Sequence, residues 1–71
     1  MSLKIFTDSQ YQMLVSARKY GDAFHHVRDD VRAAIHCRNG LIDRGLLKFG
    51  DVYVEITDAG RQALEKIEAQ P

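Results

Sequence analysis

The sequence has little of several features that direct proteins to particular places, and each shortage excludes something. It holds one cysteine, Cys37, so no disulfide can form within the chain, as expected in a reducing compartment. It contains no apolar run of about 18 residues, which argues against membrane insertion. Its first ten residues also lack the long apolar core of a signal peptide. We therefore expect a cytoplasmic protein that does not associate with membranes.

The chain also lacks a net charge, because ten Lys and Arg residues balance ten Asp and Glu residues. DNA-binding domains usually carry excess positive charge that displaces counterions from phosphates, so neutrality counts against strong DNA binding. The charges are unevenly distributed. Residues 18–48 hold seven basic and four acidic side chains, whereas residues 49–71 hold two and five. A solvated surface of mixed charge explains the same numbers.

Size and composition indicate one small domain over residues 1–71. Of its 71 residues, 45% are hydrophobic, which suits a single core and leaves no room for a second domain. A domain of this size buries only about 60% of the surface that its unfolded chain exposes. We therefore expect modest stability.

The first helix is signalled at both ends. Thr7 and Gln10 have the spacing of a capping box, and Gly21 suits a helix end. These signals predict a helix from about Asp8 to Tyr20. The preceding stretch, Leu3 to Phe6, fits a short strand or a packed arm.

The second half of the chain predicts a helix end, a hairpin and another helix in quick succession. Gly45 is placed to end a helix at Arg44 in the left-handed conformation that glycine adopts without strain. Thr57 is placed as the N-cap of the last helix. Between them, alternating apolar and polar residues predict strands near Leu46 to Phe49 and Val52 to Ile56.

The predicted hairpin is tight. Only Gly50 and Asp51 separate the two strands, and this pair suits a two-residue turn of type I′ or II′ with positive φ at its first position.

The middle segment can be read as one helix or two. Asp22 can cap a helix that starts at Ala23, and apolar residues keep helical spacing as far as Ile35. Extending that phase places Arg38 on the apolar stripe, where an unpaired charge is costly to bury. Either the stem of Arg38 carries its charge to solvent, or the helix breaks before it.

We favour a break between about Ala33 and Cys37, although neither glycine nor proline marks a turn there. Helix two then covers about Ala23 to Ala33 and helix three about His36 to Arg44. Gly40 would cost helix three about 1 kcal/mol relative to alanine.

The pattern L-x-x-R-G-L-L, a short hairpin and then I-T-x-A-G-R-x-A-L resembles the winged helix-turn-helix domains of small bacterial and phage regulators. The resemblance covers about the last half of the chain. It implies an α+β fold with three to four helices and a two-stranded antiparallel hairpin. It also implies a transcriptional regulator of phage or mobile-element type that binds double-stranded DNA. In that family, a small residue at the position of Gly40 lets the recognition helix pack closely.

If helix three is a recognition helix, its N-terminal half should enter the major groove. Arg pairs with guanine and Asn with adenine, whereas side chains near the hairpin base are better placed for phosphates. The candidates for base or phosphate contact are Arg32, His36, Arg38 and Asn39, and those for phosphates are Arg44 and Lys48. Asp29, Asp30 and Asp43 would repel phosphates from the same region, and surface ion pairs explain the same residues. The short hairpin also departs from regulators whose long basic wing enters the minor groove.

Metal and catalytic sites are poorly supported. The possible ligands are His25, His26, His36 and Cys37. Neighbouring residues on a helix point about 100° apart, so neither adjacent pair can converge on one ion. No glycine-rich phosphate loop or carboxylate pair stands out. We expect no enzyme activity, metal or cofactor.

Two functions remain open. The first is a DNA-binding protein that needs a homodimer or a protein partner for useful affinity. The second is a winged helix used for protein interaction or assembly, without DNA binding. A continuous basic face would favour the first, and an apolar patch rimmed by mixed charges would favour the second.

Overall fold

A computed structural model describes residues 6–69 of the chain. The elements follow in the order α1 (Asp8–Tyr20), α2 (Val31–Asp43), β1 (Leu47–Phe49), β2 (Val54–Ile56) and α3 (Asp58–Glu68). These three helices and the two-stranded antiparallel sheet form an α+β layout consistent with a winged helix-turn-helix, so the predicted fold class is confirmed. Residues 3–5 of the predicted N-terminal arm lie outside the described residues.

The first helix has the predicted bounds, because the predicted capping interactions form at both of its ends. The backbone N–H of Gln10 donates to Thr7 Oγ1 at 3.2 Å, and the N–H of Thr7 donates to Gln10 Oε1 at 3.1 Å. At the other end, Gly21 has a φ of 74°, and its N–H donates to the carbonyl oxygen of Ala17 at 3.0 Å. The capping box and the glycine end are both confirmed.

The segment between α1 and α2 is a turn, so the predicted helix two over Ala23 to Ala33 is wrong. Asp22 does accept a bond of 3.0 Å from the N–H of Phe24, as a helix cap would. The N–H of Ala23, however, donates to the carbonyl oxygen of Val54 in β2 at 2.9 Å, and Ala23 is fully buried. The N–H groups of His25 and Val27 donate to the carbonyl oxygens of Asp22 and Phe24, three residues back, so the segment forms short turns instead of an α-helix.

The second helix is continuous, so the predicted break between Ala33 and Cys37 is wrong. Asp30 caps the helix by accepting a bond of 3.1 Å from the N–H of Ala33. The residues assigned to helix three therefore form the second half of a longer helix. Among residues 6–69, and apart from the backbone of its own helix, a Cβ on Gly40 would meet within 4 Å only Nε2 of Gln10, at an ordinary 3.7 Å. The close packing implied there by the resemblance is therefore not observed.

Gly45 ends α2 as predicted. Its φ is 75°, and its N–H donates to the carbonyl oxygen of Ile42 at 2.9 Å. The N–H of Leu46 donates to the carbonyl oxygen of Leu41, also at 2.9 Å. This pair of bonds is the Schellman motif, which satisfies the last carbonyl groups of a helix.

Both predicted strands are confirmed in shorter form, but the predicted turn is wrong. The N–H of Gly50 donates to the carbonyl oxygen of Tyr53 at 2.8 Å, so the chain reverses at Asp51 and Val52. Gly50 does not have positive φ; instead, a Cβ there would collide with the Glu55 carboxylate. The register pairs Leu47 with Ile56, Lys48 with Glu55, and Phe49 with Val54. Each β1 residue is thus paired with the β2 residue two positions after the one that a Gly50-Asp51 turn would require. Because side chains alternate with a period of two, this shift leaves each side chain on the face that the predicted register gave it.

The core is built from all five elements. Each helix contributes one leucine without exposed surface: Leu14, Leu41 and Leu64. Leu47 of β1 and Ile56 of β2 are buried with them. Because α2 packs its inner face on this core, its opposite face is turned to solvent.

Candidate nucleic-acid interface

The solvent face of α2 brings together three of the six predicted contact residues. Ala34 and Leu41 are buried on the inner face of the helix. Arg32, His36 and Asn39 are all exposed, and they follow one another at intervals of four and three residues. This spacing places them on one stripe, opposite the buried pair.

The same stripe also carries a negative charge. Asp43, four residues after Asn39, is exposed near the C-terminal end of α2. Arg32 lies in the first turn of the helix, immediately after its capping residue Asp30. The stripe is therefore basic at its N-terminal end and acidic at its C-terminal end.

Arg38 lies on the side of α2 that faces the hairpin and is half-buried. Its guanidinium carbon is 5.0 Å from the ring centroid of Phe49 and 5.9 Å from that of Phe24. Its Nε and Nη2 donate to Oδ1 of Asn39 at 3.2 and 2.9 Å. The aromatic rings and the amide thus compensate the partial burial of this charge, which removes the need for a helix break.

Arg44 lies apart from the exposed stripe of α2. Its guanidinium carbon is 4.3 Å from the ring centroid of Phe6, within the range of a cation–π contact. It also lines a cavity with Ala59 and Lys66 of α3. Arg44 is therefore directed towards α3, and the six predicted residues do not form one continuous group.

Lys48 lies on β1 and is exposed, as predicted for a residue that contacts phosphates. Its direct partner across the two strands is Glu55. Opposite charges at facing positions of an antiparallel pair attract each other. The negative charge of Glu55 therefore weakens the attraction between Lys48 and a phosphate.

The hairpin exposes three large apolar side chains, although the strand alternation in the sequence had placed two of them, Phe49 and Val52, among the half-buried positions. Val52 is 79% exposed, Phe49 65% and Tyr53 54%. They are exposed because the strands are only three residues long and the reversal projects beyond the core. The apolar residues on both sides of the predicted turn were the sequence feature that could have indicated this exposed patch. We call the five residues Phe24, Arg38, Phe49, Val52 and Tyr53 the tip surface.

One ion pair joins the ends of α1 and α3. Nη1 and Nη2 of Arg18 donate to the two carboxylate oxygens of Glu68 at 2.8 and 2.5 Å. The hydrogen bond from Arg18 lowers the pKa of the Glu68 carboxyl below its ordinary value of 4.5. Arg18 is therefore engaged within the protein.

The possible metal ligands are not gathered. The ring of His25 stacks on Tyr20 with centroids 3.8 Å apart and an angle of 11° between the planes. His26 and Cys37 both line a cavity of about 570 Å³ between α1 and α2. Within residues 6–69, no three His, Cys, Asp or Glu side chains are placed to hold an ion together.

The chain matches no family model, no curated protein and no solved structure at a significant level. The winged-helix resemblance therefore depends on the sequence pattern and on the arrangement of the elements. Among the helices of residues 6–69, none has the length and apolar character needed to cross a membrane.

Proposed function

We propose that this chain is a winged-helix DNA-binding domain that presents the solvent face of α2 to the major groove. The main support is the position of Arg32, His36 and Asn39 on one exposed stripe. The major groove of B-DNA admits an α-helix, and arginine and asparagine side chains pair with guanine and adenine edges there. The resemblance to small bacterial and phage regulators points to transcriptional control.

The arrangement around α2 supports this orientation. In helix-turn-helix proteins the N-terminal residues of the recognition helix contact the base edges. Arg32 is placed in that way at the start of α2. Lys48 on the adjoining hairpin adds one cation for a phosphate.

The charges make us expect weak binding by a single copy. The chain has no net charge, and Asp43 shares the stripe with Arg32. Few phosphates are then neutralised, so affinity should be low and should fall as salt rises.

Fluorescence anisotropy with random-sequence duplex at about 50 mM salt tests the proposal. We expect Arg32→Ala to weaken binding and to reduce the slope of log affinity against log salt by about one. Arg61→Ala is the charge-matched control, because Arg61 is exposed on α3. It should leave both quantities unchanged. Equal losses from both variants would contradict a role for the α2 stripe.

The tip surface supports a second candidate, a domain for protein interaction or assembly. Its exposed Phe49, Val52 and Tyr53 are the kind of apolar patch that marks a protein contact. Absence of duplex binding at about 100 µM protein, the weak end of non-specific affinity, would favour this function over the first.

A further inference from the structure

We propose that the tip surface is a self-association site, through which two copies of this chain form a two-fold dimer. The proposal is independent of DNA binding, because the contact needs no nucleic acid.

The tip surface is a contiguous apolar patch. The Arg38 guanidinium lies against the rings of both Phe24 and Phe49, which joins the turn after α1 to the hairpin. Val52 and Tyr53 continue the patch around the hairpin reversal, and each residue is more than half exposed. Large contiguous apolar patches are rare on soluble monomers and mark sites of contact.

The shape of the patch suits contact with itself. Val52 projects at the reversal, and beside it lies a groove of about 310 Å³. The groove is lined by Asp22, Phe24, Arg38, Val52, Tyr53 and Val54. In a two-fold dimer the same patch is used by both subunits. The projection of each copy can then fill the groove of the other.

The charges around the patch favour a second copy over a partner of one sign. The groove is lined by the acidic Asp22 and the basic Arg38, and Asp51 directly precedes Val52. A two-fold axis can set the acidic groups of one copy against Arg38 of the other. A partner of uniform negative charge, such as duplex DNA, would be repelled by the two carboxylates. The chain has no net charge, so two copies do not repel each other at long range.

The area that a stable contact requires is a small part of the surface of this chain. A standard interface buries about 800 Å² on each partner, which is about one sixth of the 5087 Å² that this chain exposes. Val31 and Ile35 extend the apolar area along α2, because they precede Arg38 at helical spacing and are exposed.

Sedimentation analysis of the full chain over about a hundredfold range of concentration tests the proposal, since a dimer dissociates on dilution. We expect the average mass to rise from 8.1 kDa towards twice that value. Val52→Asp should remain monomeric throughout, and its helical circular dichroism should match that of the wild type. Gln62→Asp is the charge-matched control, because Gln62 is exposed on α3, outside the tip surface. This control should dimerise like the wild type.

A wild-type chain that stays monomeric throughout would overturn the proposal and leave the surface to another partner. Dimerisation of Val52→Asp would overturn it as well. Amide chemical shifts followed during dilution locate the contact. We expect the changes at residues 49–53 and at Phe24 and Arg38, whereas changes confined to α3 would place the interface elsewhere.

Discussion

Gly60 of α3 lies directly against the carbonyl oxygen of Leu46. A Cβ built on Gly60 would be 2.7 Å from Cγ1 of Ile56 and still closer to that carbonyl oxygen. The same oxygen accepts a bond of 3.0 Å from the N–H of Thr57. The first turn of α3 is therefore seated on backbone that cannot move without breaking this bond.

Gly60→Ala should lower the free energy of unfolding by about 1–3 kcal/mol, as overpacking does in rigid sites. Gly40→Ala is the matched control, because Gly40 lies in α2 and the nearest contact of its Cβ with another described element would be Nε2 of Gln10, at 3.7 Å. That variant should gain about 0.5–1 kcal/mol from helix propensity. Urea denaturation measures both changes. Equal midpoints for the two variants would contradict the packing described for Gly60.

Gly45→Ala should lose about 1 kcal/mol or more, because the residue has a φ of 75°. A Cβ there would meet no atom within 4 Å among the described residues, so the cost is one of backbone conformation alone. Gly45→Asn should lose less, since asparagine enters the left-handed region more readily. Chemical denaturation gives the order of the three proteins. Alanine as stable as glycine would mean that this conformation is not required.

Thr57→Ala should destabilise the domain by about 1–2 kcal/mol, as the loss of an N-cap does. Thr57 Oγ1 accepts a bond of 3.1 Å from the N–H of Gly60 and donates one of 2.7 Å to the carbonyl oxygen of Gly45. Thr57→Ser keeps the hydroxyl and is the control. Thermal unfolding followed by circular dichroism should place serine close to the wild type and alanine below it. A serine variant as unstable as alanine would assign the effect to the methyl group instead.

The Arg18–Glu68 pair should make the free energy of unfolding depend on pH in the acidic range. Because the pKa of Glu68 is lowered in the folded state, its contribution is present above about pH 4.5 and is lost as pH falls through the lowered value. The difference between wild type and Glu68→Gln should therefore shrink in acid. It should be small throughout, because both side chains are partly exposed and salt screens them. Urea unfolding across this pH range measures it, and a difference unchanged in acid would rule out the pair as its source.

The features predicted correctly from the sequence are those set by neighbouring residues. Thr7 and Gly21 act within a few residues of the helix that they bound, and Thr57 caps α3 in the same way. The turn that stands in place of the predicted second helix is tied to a distant element, since Ala23 bonds to Val54 across 31 positions of the chain. Sequence periodicity carries no signal for such a bond.

The candidate site also combines residues placed by their own helix with residues placed by contacts to distant elements. Helical spacing places Arg32, His36 and Asn39 on one face only in a continuous helix, whereas the predicted break had put Arg32 on a separate helix. The positions of Arg38 and Arg44 depend on aromatic rings brought in by other elements, including Phe49 and Phe6. Those contacts could be found only once the fold was known.

The junction between α2 and α3 also has a consequence for exchange with solvent. The N–H of Leu46 donates to the carbonyl oxygen of Leu41, and the N–H of Thr57 donates to the carbonyl oxygen of Leu46. Leu46, which takes part in both bonds, is buried. Because Leu46 is buried, we expect the opening of either bond to expose core side chains to water. These two amides should therefore exchange with deuterium only when the whole domain unfolds, and their rates would report its global stability.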